Sequence, residues 1–176
     1  MSEKAYLAGG CFWCLEAAYK LVPGVLEVVS GYAGGDKINP SYEQVSSGTT
    51  GHAETVELEF DPELISYQSL LDIFFKIHDP SQKNGEGADI GPQYRSIIFY
   101  LDDEQKDIAQ STIDKLRDSG QFKHIFTELK PLERFWRAEE HHQNYFEKHP
   151  EQAYCQVVIR PKMEKVNDYL KEAGNG

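Results

Sequence analysis

The order of apolar patterns over the first hundred residues constrains this chain more than any single motif. Residues 4–8 end in Tyr6-Leu7-Ala8 and read as a short strand. Over residues 11–20, Cys11, Cys14, Leu15 and Ala18 recur at helical spacing on one face, and Pro23-Gly24 ends the helix. Val25 to Val29 is β-rich, with Gly31, Gly34 and Gly35 marking a loop after it. Residues 53–60 alternate. Glu54, Val56, Leu58 and Phe60 share one face, and Ala53, Thr55, Glu57 and Glu59 the other. Tyr67, Leu70, Leu71, Phe74 and Phe75 form an amphipathic helical stripe, and Ile97 to Leu101 reads as a buried strand. The resulting order β-α-β-β-α-β predicts an α+β fold. Specifically, it predicts a ferredoxin-like split βαβ two-layer sandwich with its helices on one sheet face.

Beyond residue 101 the pattern loosens into a long irregular C-terminal extension. Asp102 and Gln105 form a capping-box-like start for a helix to about Leu116. A strand near 125–129, a short helix near 139–147 and a terminal helix over 162–173 follow. Residues 79–95, rich in Gly, Pro, Asn and Asp, make a loop too long for a simple connection. No repeat, linker or low-complexity tract divides the 176 residues, so one domain over 1–176 is expected.

The net charge of −11 makes nucleic acid and anionic membranes poor partners. Met1-Ser2-Glu3-Lys4-Ala5 leads into no long apolar segment, so neither a signal peptide nor a membrane span is expected. Three cysteines, two of them adjacent in space by sequence, do not make a disulfide framework, and the expected compartment is a reducing cytoplasm.

Gly9-Gly10-Cys11-Phe12-Trp13-Cys14 carries the main chemical signal. A cysteine at a first helical turn faces unpaired N–H groups and the positive end of the dipole, which favour a thiolate. A second thiol three residues on can capture the first once it is oxidised. Small buried residues or half a zinc site explain the pair equally well, and the pair alone leaves these readings open. Glu54 lies on an apolar strand face, where burial raises a carboxyl pKa and keeps a proton to donate, unless it sits at a frayed end and reaches solvent. Asp89 and Tyr94 lie in the long loop, and Tyr42 follows the turn Asn39-Pro40-Ser41. His124, His141, His142 and His149 offer zinc ligands, but no second well-spaced cysteine pair accompanies them. Neighbouring histidines on a helix also cannot both face one ion, so no metal site is expected.

Several motifs resemble the A-type peptide methionine sulfoxide reductase family. They are Gly10-Cys11-Phe12-Trp13-Cys14, Gly31-Tyr32-Ala33-Gly34-Gly35, Asn39-Pro40-Ser41-Tyr42-Glu43, Gly51-His52-Ala53-Glu54, His78-Asp79-Pro80 and Gln93-Tyr94-Arg95-Ser96. Glu139-Glu140-His141-His142-Gln143, Tyr154-Cys155 and Arg160-Pro161-Lys162 continue the match, which spans about residues 5–165. The resemblance implies reduction of the S epimer of methionine sulfoxide, free or in proteins. It places Cys11 on the nucleophile and Glu54 on the acid. Tyr42 and Tyr94 fall on tyrosines that hydrogen-bond the oxygen, Asp89 on a loop carboxylate, and Phe12 and Trp13 on the aromatic wall for the methyl group. Cys11 is then left as a sulfenic acid. One common family form has glycine where Cys14 stands and resolves with C-terminal cysteines, so Cys14 is the favoured resolving thiol here and Cys155 the alternative. Thioredoxin is the implied reductant, with no bound cofactor, and a monomer is expected. The competing reading is a general CxxC dithiol–disulfide oxidoreductase, which gives Glu54, Tyr42 and Tyr94 no task.

Overall fold

The structure, a computed structural model, describes residues 1–174. Eight strands are present: β1 (Glu3–Ala8), β2 (Val25–Ala33), β3 (Ala53–Phe60), β4 (Gly85–Glu86), β5 (Asp89–Ile90), β6 (Ile97–Tyr100), β7 (Glu128–Pro131) and β8 (Phe135–Arg137). The helices are α1 (Phe12–Tyr19), α2 (Tyr42–Ser46), α3 (Tyr67–Ile77), α4 (Asp103–Asp118), α5 (Tyr145–Lys148) and α6 (Arg160–Gly174). The fold is α+β. Six strands form one sheet in the order β7-β6-β1-β3-β2-β8, and β4 and β5 pair in a separate hairpin. β3 lies antiparallel between β1 and β2, and β1 lies antiparallel between β3 and β6.

The alternation in β3 survives at its C-terminal half, where Val56, Leu58 and Phe60 are buried and Glu57 and Glu59 are half-buried. At its N-terminal half both faces are covered. Ala53 joins Tyr6, Ala8, Ala33, Ile97 and Phe99 in a second, smaller apolar cluster, against which Leu132 and Phe135 pack. The main core contains α1 and α3, with Phe12, Leu15, Tyr19, Leu70, Leu71 and Phe74 fully out of water. Each such side chain contributes roughly 1.5–3 kcal/mol of burial.

Four local expectations change. Gly31 lies inside β2, which runs on to Ala33, rather than in a loop. A Cβ there would sit 2.3 Å from the Phe135 ring and 2.4 Å from the Trp136 carbonyl oxygen, so the glycine admits the edge strand β8. α1 is buried on nearly every side, not on one face, because α5, α6 and the turn at Cys155–Ile159 pack over its outer surface. The extension is more ordered than its sequence suggests. It supplies β7, parallel to β6, and β8, and only two short helical pieces (Glu140–His142 and α5) where one short helix is expected. Residues 79–95 likewise contain the β4–β5 hairpin and a 3-10 turn at Pro92–Tyr94.

Asp102 caps α4 by accepting the Gln105 N–H at 2.8 Å, but the Gln105 carboxamide accepts from Leu101 rather than closing a box. The complete capping box belongs to α2, between Ser41 and Gln44.

Candidate active site

Cys11 is the N-cap of α1, reached from β1 through Gly9 and Gly10. Gly10 has φ +93°, and its N–H donates to the Tyr94 carbonyl oxygen at 3.1 Å. A side chain there would be strained and would strike Glu86, so a glycine before the cysteine fixes its approach to the long loop. Arg95 pins the same loop by donating to the carbonyl oxygens of Pro92 at 2.8 Å and Gly51 at 2.9 Å. The motif around Tyr94 is thereby tied to the one before Glu54.

Glu54 is 1 % exposed. Its Oε1 accepts the N–H of Phe12, the first residue of α1, at 3.0 Å. Burial pushes its carboxyl up to about 8, against the pull of that N–H and of the Cys11 thiol, so Glu54 holds its proton at neutral pH. Cys11 behaves differently from the helix-terminus argument. Burial pushes its thiol well above the ordinary range, and Cys14 and Glu54 add to the rise. The Trp13 N–H stabilises a Cys11 thiolate, but the Phe12 N–H is taken by Glu54. The dipole is shared and desolvation wins.

Cys14, one turn on, goes the other way. The neighbouring Cys11 thiol, Lys162 and the Tyr154 hydroxyl hold it below its ordinary value despite burial. Its sulfur lies 3.5 Å from the Tyr154 oxygen, and that hydroxyl donates to Asp89 Oδ2 at 2.7 Å. Asp89 thus reaches the thiols through Tyr154, and as a second carboxylate it adds to the rise at Glu54. Cys155 is fully buried at the start of the turn that packs on α1, and burial raises its thiol.

Tyr42 opens α2 and Tyr94 closes the 3-10 turn. Both are half-buried, and burial and the nearby Glu54 raise both phenols, which stay protonated as donors. Glu139 positions one of them. It accepts the Tyr42 N–H at 2.9 Å and the Tyr32 hydroxyl at 2.9 Å. Burial pushes Glu139 up, but these bonds outweigh it and hold the carboxylate below its ordinary range. Phe12 is fully buried, its ring 5.7 Å from Tyr32 and 5.4 Å from His142. Trp13 is half-buried, stacked on Tyr145 at 3.6 Å, and donates its indole N–H to His142 Nδ1 at 3.3 Å.

The structure therefore gathers Cys11, Cys14, Glu54, Tyr42, Tyr94, Asp89, Phe12 and Trp13 around one end of α1. It adds Tyr154, Tyr145, His142, Glu139 and Lys162, to which the sequence reading gives no task. For all but Tyr145 the signal was position, since Glu139, His142, Tyr154 and Lys162 fall in motifs of the C-terminal half whose residues lack periodicity. Two other motif histidines, His52 and His78, are structural. His52 links Gly35 N–H to the Lys37 carbonyl oxygen, and His78, which burial lowers to about 4, joins Phe74 to Ser96. No group of three metal-ligating side chains occurs among the described residues.

Residues 3–173 match the family model described as peptide methionine sulfoxide reductase, and the chain belongs to that family. It is 57 % identical over 168 residues to the peptide methionine sulfoxide reductase MsrA of Nautilia profundicola, covering 96 % of this chain and 94 % of that protein. Among solved structures, reduced Mxr1 from Saccharomyces cerevisiae superposes with TM-score 0.80 at 33 % identity, covering 88 % and 89 % of the two chains. Mxr1 in complex with Trx2 aligns with TM-score 0.57 at 26 % identity, over 82 % and 84 %.

Proposed function

We propose that this chain reduces the S epimer of methionine sulfoxide, free or in proteins, with Cys11 as nucleophile and thioredoxin as final reductant. The Cys11 thiolate attacks the sulfoxide sulfur while Glu54 protonates the oxygen. Tyr42 and Tyr94 donate hydrogen bonds to that oxygen, and Phe12 and Trp13 form the apolar wall for the methyl group. The attack forms a sulfur–sulfur bond and leaves a hydroxyl on the substrate sulfur. The hydroxyl then passes to the Cys11 sulfur as the substrate's sulfur–oxygen bond and the new sulfur–sulfur bond both break, so methionine leaves and Cys11 carries the oxygen as a sulfenic acid. Cys14 then forms a disulfide with Cys11 and releases water, and thioredoxin restores both thiols by exchange. Asp89 acts through Tyr154 on the resolving thiol.

One observation carries this reading: a buried carboxyl, pushed up to about 8, lies beside Cys11, its Oε1 accepting the N–H of the next residue, Phe12, at 3.0 Å. Disulfide exchange needs no acid at oxygen, so the general oxidoreductase reading leaves Glu54 idle. Family membership and the thioredoxin-bound relative support the same assignment.

The reading includes a single domain over 1–176 that acts as a cytoplasmic monomer. No helix among the described residues is long and apolar enough to cross a membrane. We read the core β1-α1-β2-β3-α3-β6, with central strand order β6-β1-β3-β2, as a ferredoxin-like split βαβ unit to which β7 and β8 add edges.

The test is turnover on separated sulfoxide epimers with dithiothreitol. A fixed acid and a fixed methyl wall admit one hand at sulfur, so the S epimer is reduced and the R epimer is essentially untouched. Comparable rates on both epimers overturn this site.

A further inference from the structure

Cys14 meets a charge that the chemistry at Cys11 does not use. α6 packs against α1, and Lys162 on its first turn places its ammonium 3.1 Å from Glu86 Oε2. Both side chains are almost out of water, at 12 % and 11 % exposure. The pair is held in place. Glu86 accepts the Asp79 N–H at 2.6 Å, and a Cβ at Gly10 would lie 2.7 Å from Glu86 Cγ and 4.0 Å from Lys162 Nζ. The ion pair therefore sits directly behind the turn that carries the two thiols. It also lines a groove of about 740 Å³ between α3, α4 and α6.

The groups facing Cys14 come from every element around it. They are Cys11 at the start of α1, Asp89 on β5, Glu54 on β3, Tyr154 and Cys155 at the turn before α6, and Lys162. Of these only Lys162 is a cation. Tyr154 gives a Cys14 anion only partial support, because its hydrogen is shared with Asp89 at 2.7 Å. Lys162 has three donors and one carboxylate partner, so its charge is not spent on Glu86 alone.

We propose that Lys162 is a positioning residue for the resolving step: held in place by Glu86, its ammonium stabilises the Cys14 thiolate that attacks the Cys11 sulfenic acid. This rests on the assignment of Cys14 as resolving thiol. In the step, the Cys14 sulfur is oxidised and the sulfenic sulfur reduced. A sulfur–sulfur bond forms, the sulfur–oxygen bond breaks, and the departing hydroxide takes up a proton equivalent to the one Cys14 released, leaving as water.

The test has two arms. First, Cys14 is made the sole thiol by Cys11→Ser and Cys155→Ala, and its alkylation by iodoacetamide is followed against pH. Lys162→Met should lower the rate at pH 7 roughly tenfold and move the midpoint upward, as loss of a close cation does. Lys162→Arg should restore it, and Glu86→Gln, which removes the competing anion, should move the midpoint downward. Second, in the three-cysteine protein, trapping of the sulfenic acid after one turnover should show disulfide formation slowed by about the same factor, with the loss falling there rather than on methionine formation. If Lys162→Met alone fails to fold, Glu86→Gln/Lys162→Met removes both buried charges together and should still show the upward midpoint. An unshifted alkylation profile, or equal profiles for the Met and Arg variants, overturns the proposal. A shifted profile with a Cys11–Cys155 disulfide as main product overturns Cys14 as resolving thiol instead.

Discussion

Cys11 and Cys14 stand one helical turn apart, yet their surroundings push them in opposite directions. Cys11 faces β3 and Glu54, a carboxyl that is itself neutral at pH 7, and burial raises its thiol. Cys14 is held below its ordinary value by the Cys11 thiol first, and then by Lys162 and Tyr154 of the C-terminal extension that it faces. The helix dipole acts on both and decides neither. Part of the difference is their mutual contact, which favours the anion on Cys14 over Cys11; the rest is which part of the chain covers each one. The β-α-β-β-α-β core supplies the acid half of the site, and the extension supplies the half that stabilises an anion. This division matches two chemical steps, one that needs a proton delivered and one that needs a proton removed.

The largest effects test whether the halves are separable at all. Cys11→Ser should abolish methionine formation, because a hydroxyl lacks an accessible, polarisable anion. Turnover of this variant with dithiothreitol would remove Cys11 from the mechanism. Cys14→Ser should leave the first half intact and stop the second. One equivalent of methionine should form, and cycling with thioredoxin should then stall at the sulfenic acid. A disulfide needs Cα atoms within roughly 4.4–6.8 Å, which residues three apart on a helical turn satisfy. Cys155→Ala should cycle normally. Mass analysis of the oxidised wild-type enzyme checks the pairing, and a Cys11–Cys155 bond with Cys14 free would move the resolving role into the extension.

Next in size is Glu54→Gln, which should slow methionine formation by about 10²–10⁴-fold between pH 6 and 8. Stability should move the other way. Folding raises the Glu54 pKa from 4.5 to about 8, so the native protein holds a proton that the unfolded chain releases. Its stabilising contribution is complete below pH 4.5 and is lost as pH rises toward 8, on the order of 5 kcal/mol across the window. The neutral carboxamide can still accept the Phe12 N–H and has no such proton to lose. Denaturant unfolding at pH 5 and pH 8 should therefore show a smaller drop for Glu54→Gln than for wild type. Equal drops would mean that the carboxyl is solvated in the folded protein.

The two halves were not equally legible in the sequence. Glu54 was readable because β3 alternates, and period 2 put a carboxylate among Val56, Leu58 and Phe60. The core strands and the stripe on α3 were readable for the same reason. β8 was not, since three residues pair only because Gly31 leaves room for Phe135. Gln143 had no readable signal either, although its carboxamide bonds both the N–H and the carbonyl oxygen of Ser30, completing the edge of β2 as a strand would. At Cys11 burial opposes the thiolate that the start of the helix favours, and spacing carries no sign of that burial. Only the covering of α1 by the extension shows that its first turn is dry. Tyr154 and Lys162 reach Cys14 through tertiary packing, and no local pattern announces them.

The smallest effect is the sharpest test of the division between the halves. Tyr42→Phe and Tyr154→Phe each remove one hydroxyl, and each hydroxyl serves one side. Tyr42 is raised by burial and by Glu54, with Cys11 and Asp89 nearby, which places its phenol on the acid side. Tyr154 touches Cys14 at 3.5 Å and Asp89 at 2.7 Å. Losing a positioned hydrogen bond of this kind costs about 1–1.5 kcal/mol, or roughly tenfold in the step it serves. Tyr42→Phe should slow methionine formation by that factor and leave disulfide formation at its wild-type rate. Tyr154→Phe should do the reverse, because the Cys14 thiol loses the acceptor through which its proton can pass to Asp89. Single-turnover measurements separate the two rates, by quantifying methionine and by trapping the sulfenic acid. If both variants slow the same step, the thiols share one environment, and the opposite directions seen at Cys11 and Cys14 describe the resting state and not the reaction.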